Sequence, residues 1–474
     1  MSDPVLDHLR NERGAIIERI RELVRIPSIS TDSAYGEEME AARRLLEDRF
    51  VGIGLCNVKR LGAGGQPALY GEWLGAGGGP TILIYAHYDV QPPDPLELWD
   101  TPPFEPKIQN DRIWGRGVSD DKAPSLIALE TVAAFLAVEN TLPINVKVLF
   151  EGEEEVGSAS LPAILDNHRE LLAADAVLSA DGARWREDLL TVNVGSRGST
   201  GIEFSLRTAA KDLHSGRYGG AVANALHVMA RLLTTLHDER GAVAVEGFED
   251  GAHQPSDAER TYLAEIPFNE TSFLEEIQAM PAGDPTWSVL ERLWLRPCLD
   301  VNGIWGGFNG PGSKTVIPNT AHAKLTLRLV PGQDPDAMAL AVRAHLEQAC
   351  PAGVHLTFTG SHGGVRAYEV PEDHPLLLAV EDALEETRGE RPRRVRIGAT
   401  LPLTDMVRRK LGLETVMFSF SSADEDFHAP NEFFRLASLE EGFTAWVALF
   451  RRLHTTNFSK GSFNKCGTNL SRSA

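Results

Sequence analysis

Histidine, aspartate and glutamate follow four short apolar runs in this chain, and that pairing of residue type with position directs the search for its chemistry. His87 and Asp89 come after Thr81-Ile-Leu-Ile-Tyr85. Two residues apart at a strand end, they leave the same face. An imidazole on a metal needs a partner to fix its tautomer, which Asp89 can supply. Glu151-Gly-Glu-Glu-Glu155 crowds four carboxylates after Asn145-Val-Lys-Val-Leu-Phe150, a repulsion that cations or a raised pKa relieve. Within it, Glu154 and Glu155 are the candidates, one to bind an ion and one to accept a proton. Asp181 follows Asp175-Ala-Val-Leu-Ser-Ala180, and His428 follows Thr415-Val-Met-Phe-Ser-Phe420. Asp120 closes Gly115-Arg-Gly-Val-Ser-Asp120, a glycine-rich turn running into a helix. Each has a plain alternative: a surface pair, a solvated charge run, an Asp-Gly turn, a helix cap, an exposed loop histidine. Together they weigh more, because ligands of open α/β sheets bind beyond the carboxyl ends of the strands.

The elements that must position these groups read as buried strands alternating with helices. Helices are expected over Val5 to Val24, Gly36 to Phe50, Ser125 to Ala137 and Ser160 to Ala174. From about Gly195 the pattern changes to alternating strands (Gly201 to Arg207, Ala323 to Leu329) and amphipathic helices (Ala223 to Leu236, Pro335 to Cys350). The fold class is α/β: a phosphorylase/hydrolase-like catalytic domain with helices on both sheet faces, interrupted by an inserted α+β lid or dimerisation domain. The expected boundaries are 1–195 and 369–454 for the catalytic domain, 196–368 for the insertion, and 455–474 for a disordered tail. Gly75-Ala-Gly-Gly-Gly79 reads as a hairpin turn. Gly307 to Thr315 lacks the glycine-lysine step of a phosphate loop, and no Gly-x-Ser-x-Gly elbow supports a serine hydrolase.

Bulk properties narrow the partners. At 474 residues two domains are expected, and 42% hydrophobic content gives each a core. A net charge of −21 argues against nucleic acid and anionic membranes, both polyanions. No apolar run reaches the roughly 18 residues that a membrane span needs. The four cysteines are scattered without a Cys-x-x-Cys pair, and the N-terminus lacks a signal-peptide core, so the expected compartment is the cytoplasm.

Six blocks together resemble the dizinc peptidases of the M20 family, closest to its cytosolic dipeptidase and carnosinase-like branch. They are Ala86-His-Tyr-Asp-Val-Gln-Pro92, Arg116-Gly-Val-Ser-Asp-Asp-Lys122, Glu151-Gly-Glu-Glu-Glu-Val-Gly-Ser158, Ser179-Ala-Asp-Gly182, Asp212-Leu-His-Ser-Gly216 and Phe427-His-Ala-Pro430, in family order. The resemblance implies that His87 and Asp181 bind one ion, Glu155 and His428 the other, and that Asp120 bridges. It makes Glu154 the general base with Asp89 supporting it. His214 becomes an oxyanion donor from the lid, reaching into the neighbouring subunit's site in dimeric members. Arg328 and Thr315 match positions that grip a substrate's C-terminal carboxylate. Thr400, in Gly398-Ala-Thr-Leu-Pro402, keeps the hydroxyl of a related serine and adds a methyl.

What the resemblance implies is hydrolysis of an amide bond in dipeptides or short peptides, by a metal-bridging hydroxide, in a homodimer joined through the lid domain. Two divalent ions are implied, Zn2+ ahead of Mn2+. Three carboxylates and two neutral imidazoles give about −3 against +4, and hydroxide brings the site near neutrality. A deacylase of N-acyl amino acids, aminoacylase-like, is the alternative on the same metals. A third reading, a non-catalytic binding protein, sits poorly beside Glu154, Asp89 and His214.

Overall fold

The computed structural model describes residues 3–458, which fall into two compact units. One comprises 3–194, 370–395 and 406–458; the other comprises 195–369 and 396–405. The sequence reading ran the catalytic domain unbroken over 369–454. Residues 396–405 group with the smaller unit instead, because Arg197 and Arg328 fasten them there. The Arg197 amide donates to the carbonyls of Ile397 and Ala399, and its Nε donates to that of Gly398 at 2.8 Å.

The larger unit is built on a six-stranded sheet in the order Cys56–Leu61, Ala68–Trp73, Asn145–Glu151, Thr81–His87, Ala176–Ser179, Thr415–Met417. The last four are mutually parallel, and Ala68–Trp73 joins them antiparallel. Nearly every residue of Asn145–Glu151, Thr81–His87 and Ala176–Ser179 is buried, as a parallel sheet covered on both faces requires. Helix Gly36–Gly52 packs on the two outer strands and Ala123–Glu139 on Thr81–His87, with Pro4–Asn11 and Leu436–Leu453 against Ala123–Glu139. Parallel strands put His87, Glu151 and Ser179 at the same end of the sheet, where the register pairs His87 with Glu151.

Three expectations need correction. The helix expected over Val5 to Val24 is two, Pro4–Asn11 and Arg13–Val24, divided at Glu12; the apolar periodicity survives because both pieces bury the same side. The helix expected over Ser160 to Ala174 is only Leu161–Asn167. Past Asn167 the carbonyls of Leu171 (2.7 Å) and Ala173 (2.6 Å) accept from the ammonium of Lys147, which lies part-way along a buried strand. Gly75–Gly79 is not a hairpin turn, since Asn145–Glu151 lies between the strands it joins. The segment arches over that strand's start, where Asn145 Oδ1 accepts from Ala76 N (3.1 Å) and its Nδ2 donates to Gly79 O (3.0 Å).

The smaller unit holds a four-stranded antiparallel sheet, Cys298–Gly306, Thr320–Leu329, Gly198–Arg207, His355–Val365. Strict alternation of burial along Gly198–Arg207 and Thr320–Leu329 marks one packed face. Helices Ala225–Thr234 and Pro335–Ala349 cover it, and Phe204, Met229, Leu325 and Val342 are among its core residues. Cys298–Gly306 and His355–Val365 are the sheet's edges.

After helix Leu436–Leu453, the amides of Thr455 and Thr456 return to the carbonyls of Arg452 and Leu453. Residues 459–474, most of the expected tail, lie outside the described residues, as does Cys466. Cys56, Cys298 and Cys350 are free thiols. Among the described residues no helix is long and apolar enough to cross a membrane.

Candidate metal centre

Asp120 sits at the middle of the site. Its Oδ1 lies 2.9 Å from His87 Nε2 and its Oδ2 lies 3.0 Å from His428 Nε2. His428 Nε2 is also 3.1 Å from Glu155 Oε2. Two triads of metal-ligating groups result, His87–Asp120–Asp181 and Asp120–Glu155–His428, with the ligand atoms in each triad lying within 4.8 Å of one another. They share one carboxylate. All five residues lie in the larger unit: His87 ends a strand, Asp181, Glu155 and His428 lie in the segments that follow three others, and Asp120 is in the turn before helix Ala123–Glu139.

Local structure explains each placement. His87 ends its strand, and its Nδ1 lies 3.0 Å from the carbonyl of Asp89. In a metal complex a proton kept on Nδ1 by that carbonyl would leave Nε2 free to ligate, the tautomer such a ligand needs. Asp120 is held by its backbone, its amide donating to the buried Glu432 at 3.2 Å. His428 takes φ +60°, in a region that histidine tolerates better than most side chains. Its ring stays 54% exposed while the Glu155 side chain is 2% exposed, so the site opens to solvent on the His428 side.

The crowded run of acids resolves into separate tasks. Glu151 accepts from Tyr85 Oη at 2.6 Å, beneath the site. Glu153 faces away, accepting from Gln66 N (2.8 Å) and Ser160 N (3.0 Å). Glu155 faces His428 and takes Gln91 Nε2 at 2.9 Å. None of these partners holds the Glu154 carboxylate. Asp89, fully buried, acts on this turn through its backbone: its oxygens accept from Glu154 N (3.2 Å) and Glu155 N (3.1 Å), and from Ser30 Oγ at 2.6 Å. The carboxylate expected to support Glu154 therefore fixes its main chain rather than touching its acid.

The groups of the cluster shift one another's protonation. Burial, then the neighbouring Asp120 and Glu155, pushes Asp181 up to about 6. Burial, then Asp181, Asp120 and Glu155, raises Glu154 well above its ordinary value against the pull of His87. Hydrogen bonds to Asp120 and Glu155 push His428 up to about 10. Burial opposes a charge on Asp120 also, but the hydrogen bonds from His428 and His87 prevail and hold it well below the carboxylate range. Four acids around two imidazoles, each Nε2 facing carboxylate oxygens, must be neutralised by shared protons or by cations; this donor set fits two divalent ions.

The remaining candidates belong to the smaller unit. His214 pairs with Val316 on a two-stranded ribbon, and the Ser215 amide donates to the carbonyl of Thr315 at 3.1 Å, so His214 and Thr315 are neighbours. The exposed His214 ring accepts the Gly216 amide on Nδ1 (3.0 Å), which leaves the proton of its neutral form on Nε2. Arg328 donates to Thr400 Oγ1 at 2.8 Å. Sequence reasoning missed Ser30, Gln91 and Glu432. Their roles depend on chain segments brought together by folding; Gln91, inside the His87 block, and Glu432, beside the His428 block, offered a local signal, and Ser30 offered none.

The model of peptidase family M20/M25/M40 matches residues 83–452, which include every candidate above. The chain belongs to this family. It is 28% identical to the Beta-Ala-His dipeptidase of Homo sapiens over 376 residues, 78% of this chain and 74% of that one. It is 25% identical to the Cys-Gly metallodipeptidase DUG1 of Saccharomyces cerevisiae over 469 residues, 94% of this chain and 96% of that one. Among solved structures, the M20 family metallo-carboxypeptidase Sso-CP2 from Sulfolobus solfataricus matches with a TM-score of 0.80 and 28% identity, over 93% of this chain and 99% of that one. The M20 protein described here is thus a hydrolase of the peptidase class, its α/β fold is that of its structural relatives, and it carries a candidate metal centre.

Proposed function

We propose that this M20 enzyme hydrolyses the amide bond of dipeptides or short peptides bearing a free C-terminal carboxylate. The observation that carries the reading is the shared Asp120, whose two oxygens face two different histidines. Dipeptidases among the relatives support the substrate class. His87 and Asp181 would hold one ion and Glu155 and His428 the other, with Asp120 shared between them. When bound, the ions supply Lewis acidity and lower the pKa of water toward about 7. Zn2+ is assigned ahead of Mn2+ on the family resemblance, since the donor set accepts either.

Glu154 takes the proton of the attacking water and passes it to the leaving amine. A carboxylate held beside the reacting water can carry that proton between the two transfers. Asp89 keeps it in place through the amides of the Glu154–Glu155 turn. His214, with Nδ1 occupied, presents Nε2–H to the developing oxyanion. Arg328, oriented by Thr400, binds the substrate carboxylate through its planar fork, and Thr315 assists. We assign a homodimer joined through the smaller unit, whose edge strand Cys298–Gly306 leaves Ile304 and Trp305 exposed; sedimentation tests it. A cytoplasmic site of action accords with the exposed free thiol of Cys56.

A substrate panel tests the reading. Dipeptides, longer peptides and N-acetyl amino acids are compared by kcat/KM with Zn2+ or Mn2+ supplied. The dipeptides are expected to be turned over fastest. Faster hydrolysis of the N-acetyl compounds transfers the assignment to a deacylase.

A further inference from the structure

Glu432 lies four residues after His428 and is completely buried. Its Oε1 accepts from Ser119 N (2.9 Å) and Asp120 N (3.2 Å), and its Oε2 from Gly117 N (2.7 Å) and Arg116 Nη1 (2.7 Å). Its own carbonyl accepts from Gly115 N at 3.0 Å. The three amides converge because Gly117 takes φ +75°, where a Cβ would also collide with Val90. Such a concave array of N–H groups suits one anion. The next residue, Phe433, pairs with Trp114, so the two segments are already in register as they enter the site.

We propose that Glu432 is the positioning residue of the metal centre, setting the distance between His428 and the shared carboxylate of Asp120. The inference rests on the reading of Asp120 and His428 as ligands. One side chain grips the Asp120 amide from the loop that carries His428, and the two ligands meet at 3.0 Å. Any slip of one loop against the other changes that approach, and with it the distances at both Asp120 oxygens. Charge-assisted bonds from four donors make the link stiffer than packing alone. Outer partners of this kind are worth 10- to 100-fold in metal affinity.

The test is Zn2+ binding to the full-length, metal-depleted protein, measured by competition with a chromophoric chelator, alongside thermal unfolding. Glu432→Gln keeps the volume but turns one acceptor oxygen into a donor that faces two N–H donors in either orientation. It is expected to bind the more weakly held ion about 10- to 100-fold less tightly than the wild-type chain. Glu432→Asp keeps the charge, retracts the oxygens, and is expected to lose affinity in the same direction by a smaller factor; it carries the test if the glutamine variant fails to fold. Wild-type affinity for both ions in the folded variants, with only a lowered Tm, assigns Glu432 to the scaffold and overturns the proposal. A wild-type chain that takes up no second ion overturns the dinuclear reading itself.

Discussion

Replacing Glu154 with glutamine separates proton transfer from metal binding. Glu154 lies outside both ligand triads, so the variant is expected to keep the full metal complement. A positioned general base contributes roughly 10²- to 10⁴-fold, about 2.7–5.4 kcal/mol at 1.36 kcal/mol per decade. The upper half of that range is expected here. The neighbouring acids are committed elsewhere: Asp120 and Glu155 to His428, Glu151 to Tyr85, and Glu153 to two backbone amides. None is free to replace the lost carboxylate. Glutamine also removes a buried charge whose neutral form the fold prefers, so the metal-free variant should melt no lower than the wild type at pH 7. The assay is steady-state dipeptide hydrolysis with metal content measured on the same sample. Turnover within threefold of wild type at full metal content refutes the role; loss of metal refutes the placement.

The metal-free chain should become less stable between pH 5 and pH 7. Asp181, raised to about 6, and Glu151, pushed by burial to about 7, bind protons more tightly folded than unfolded, and that advantage is lost as pH rises through those values. Zn2+ should therefore raise the melting temperature more at pH 7 than at pH 5; a metal-free melting temperature that rises across this window contradicts the electrostatic account. Arg328→Met should lower kcat/KM for peptides with a free carboxylate by roughly 10- to 100-fold, the worth of a charged hydrogen bond. Equal losses on C-terminally amidated peptides would remove Arg328 from that contact. Gly65→Ala should destabilise by about 1–3 kcal/mol in urea unfolding, because the new methyl overlaps the Glu153 carboxylate and the Ser160 hydroxyl, and Glu153 cannot yield without losing two amide bonds. Unchanged stability there shows that the turn is slack.

Much of the architecture was legible because buried parallel strands read as unbroken apolar runs, and four of them stop where acids and histidines begin. His87, Asp120, Glu155, Asp181 and His428 could be named from that grammar and the family order together. The bonds that hold them could not. Asp89 acts on two backbone amides sixty-five and sixty-six residues away in sequence, and Glu432 on a loop more than three hundred away; local patterns do not reveal such partners. The glycine run at 75–79 misled because a turn and a crossover have the same composition, and only strand order separates them. The helix expected over 160–174 stops at Asn167, and the carbonyls beyond it meet Lys147 from a strand distant in sequence. The breadth of the Glu151–Glu155 run suggested one shared purpose, whereas folding gives each acid a different partner.

Metal titration of the activity tests the central claim most directly. Protein stripped with a chelator is given Zn2+ in fractions of an equivalent, and hydrolysis of one dipeptide is followed at each step. Two overlapping triads around Asp120 predict that the stripped protein is inactive and that activity climbs to a plateau at two ions per chain. Full activity in the stripped protein, or a plateau at one ion, contradicts the account.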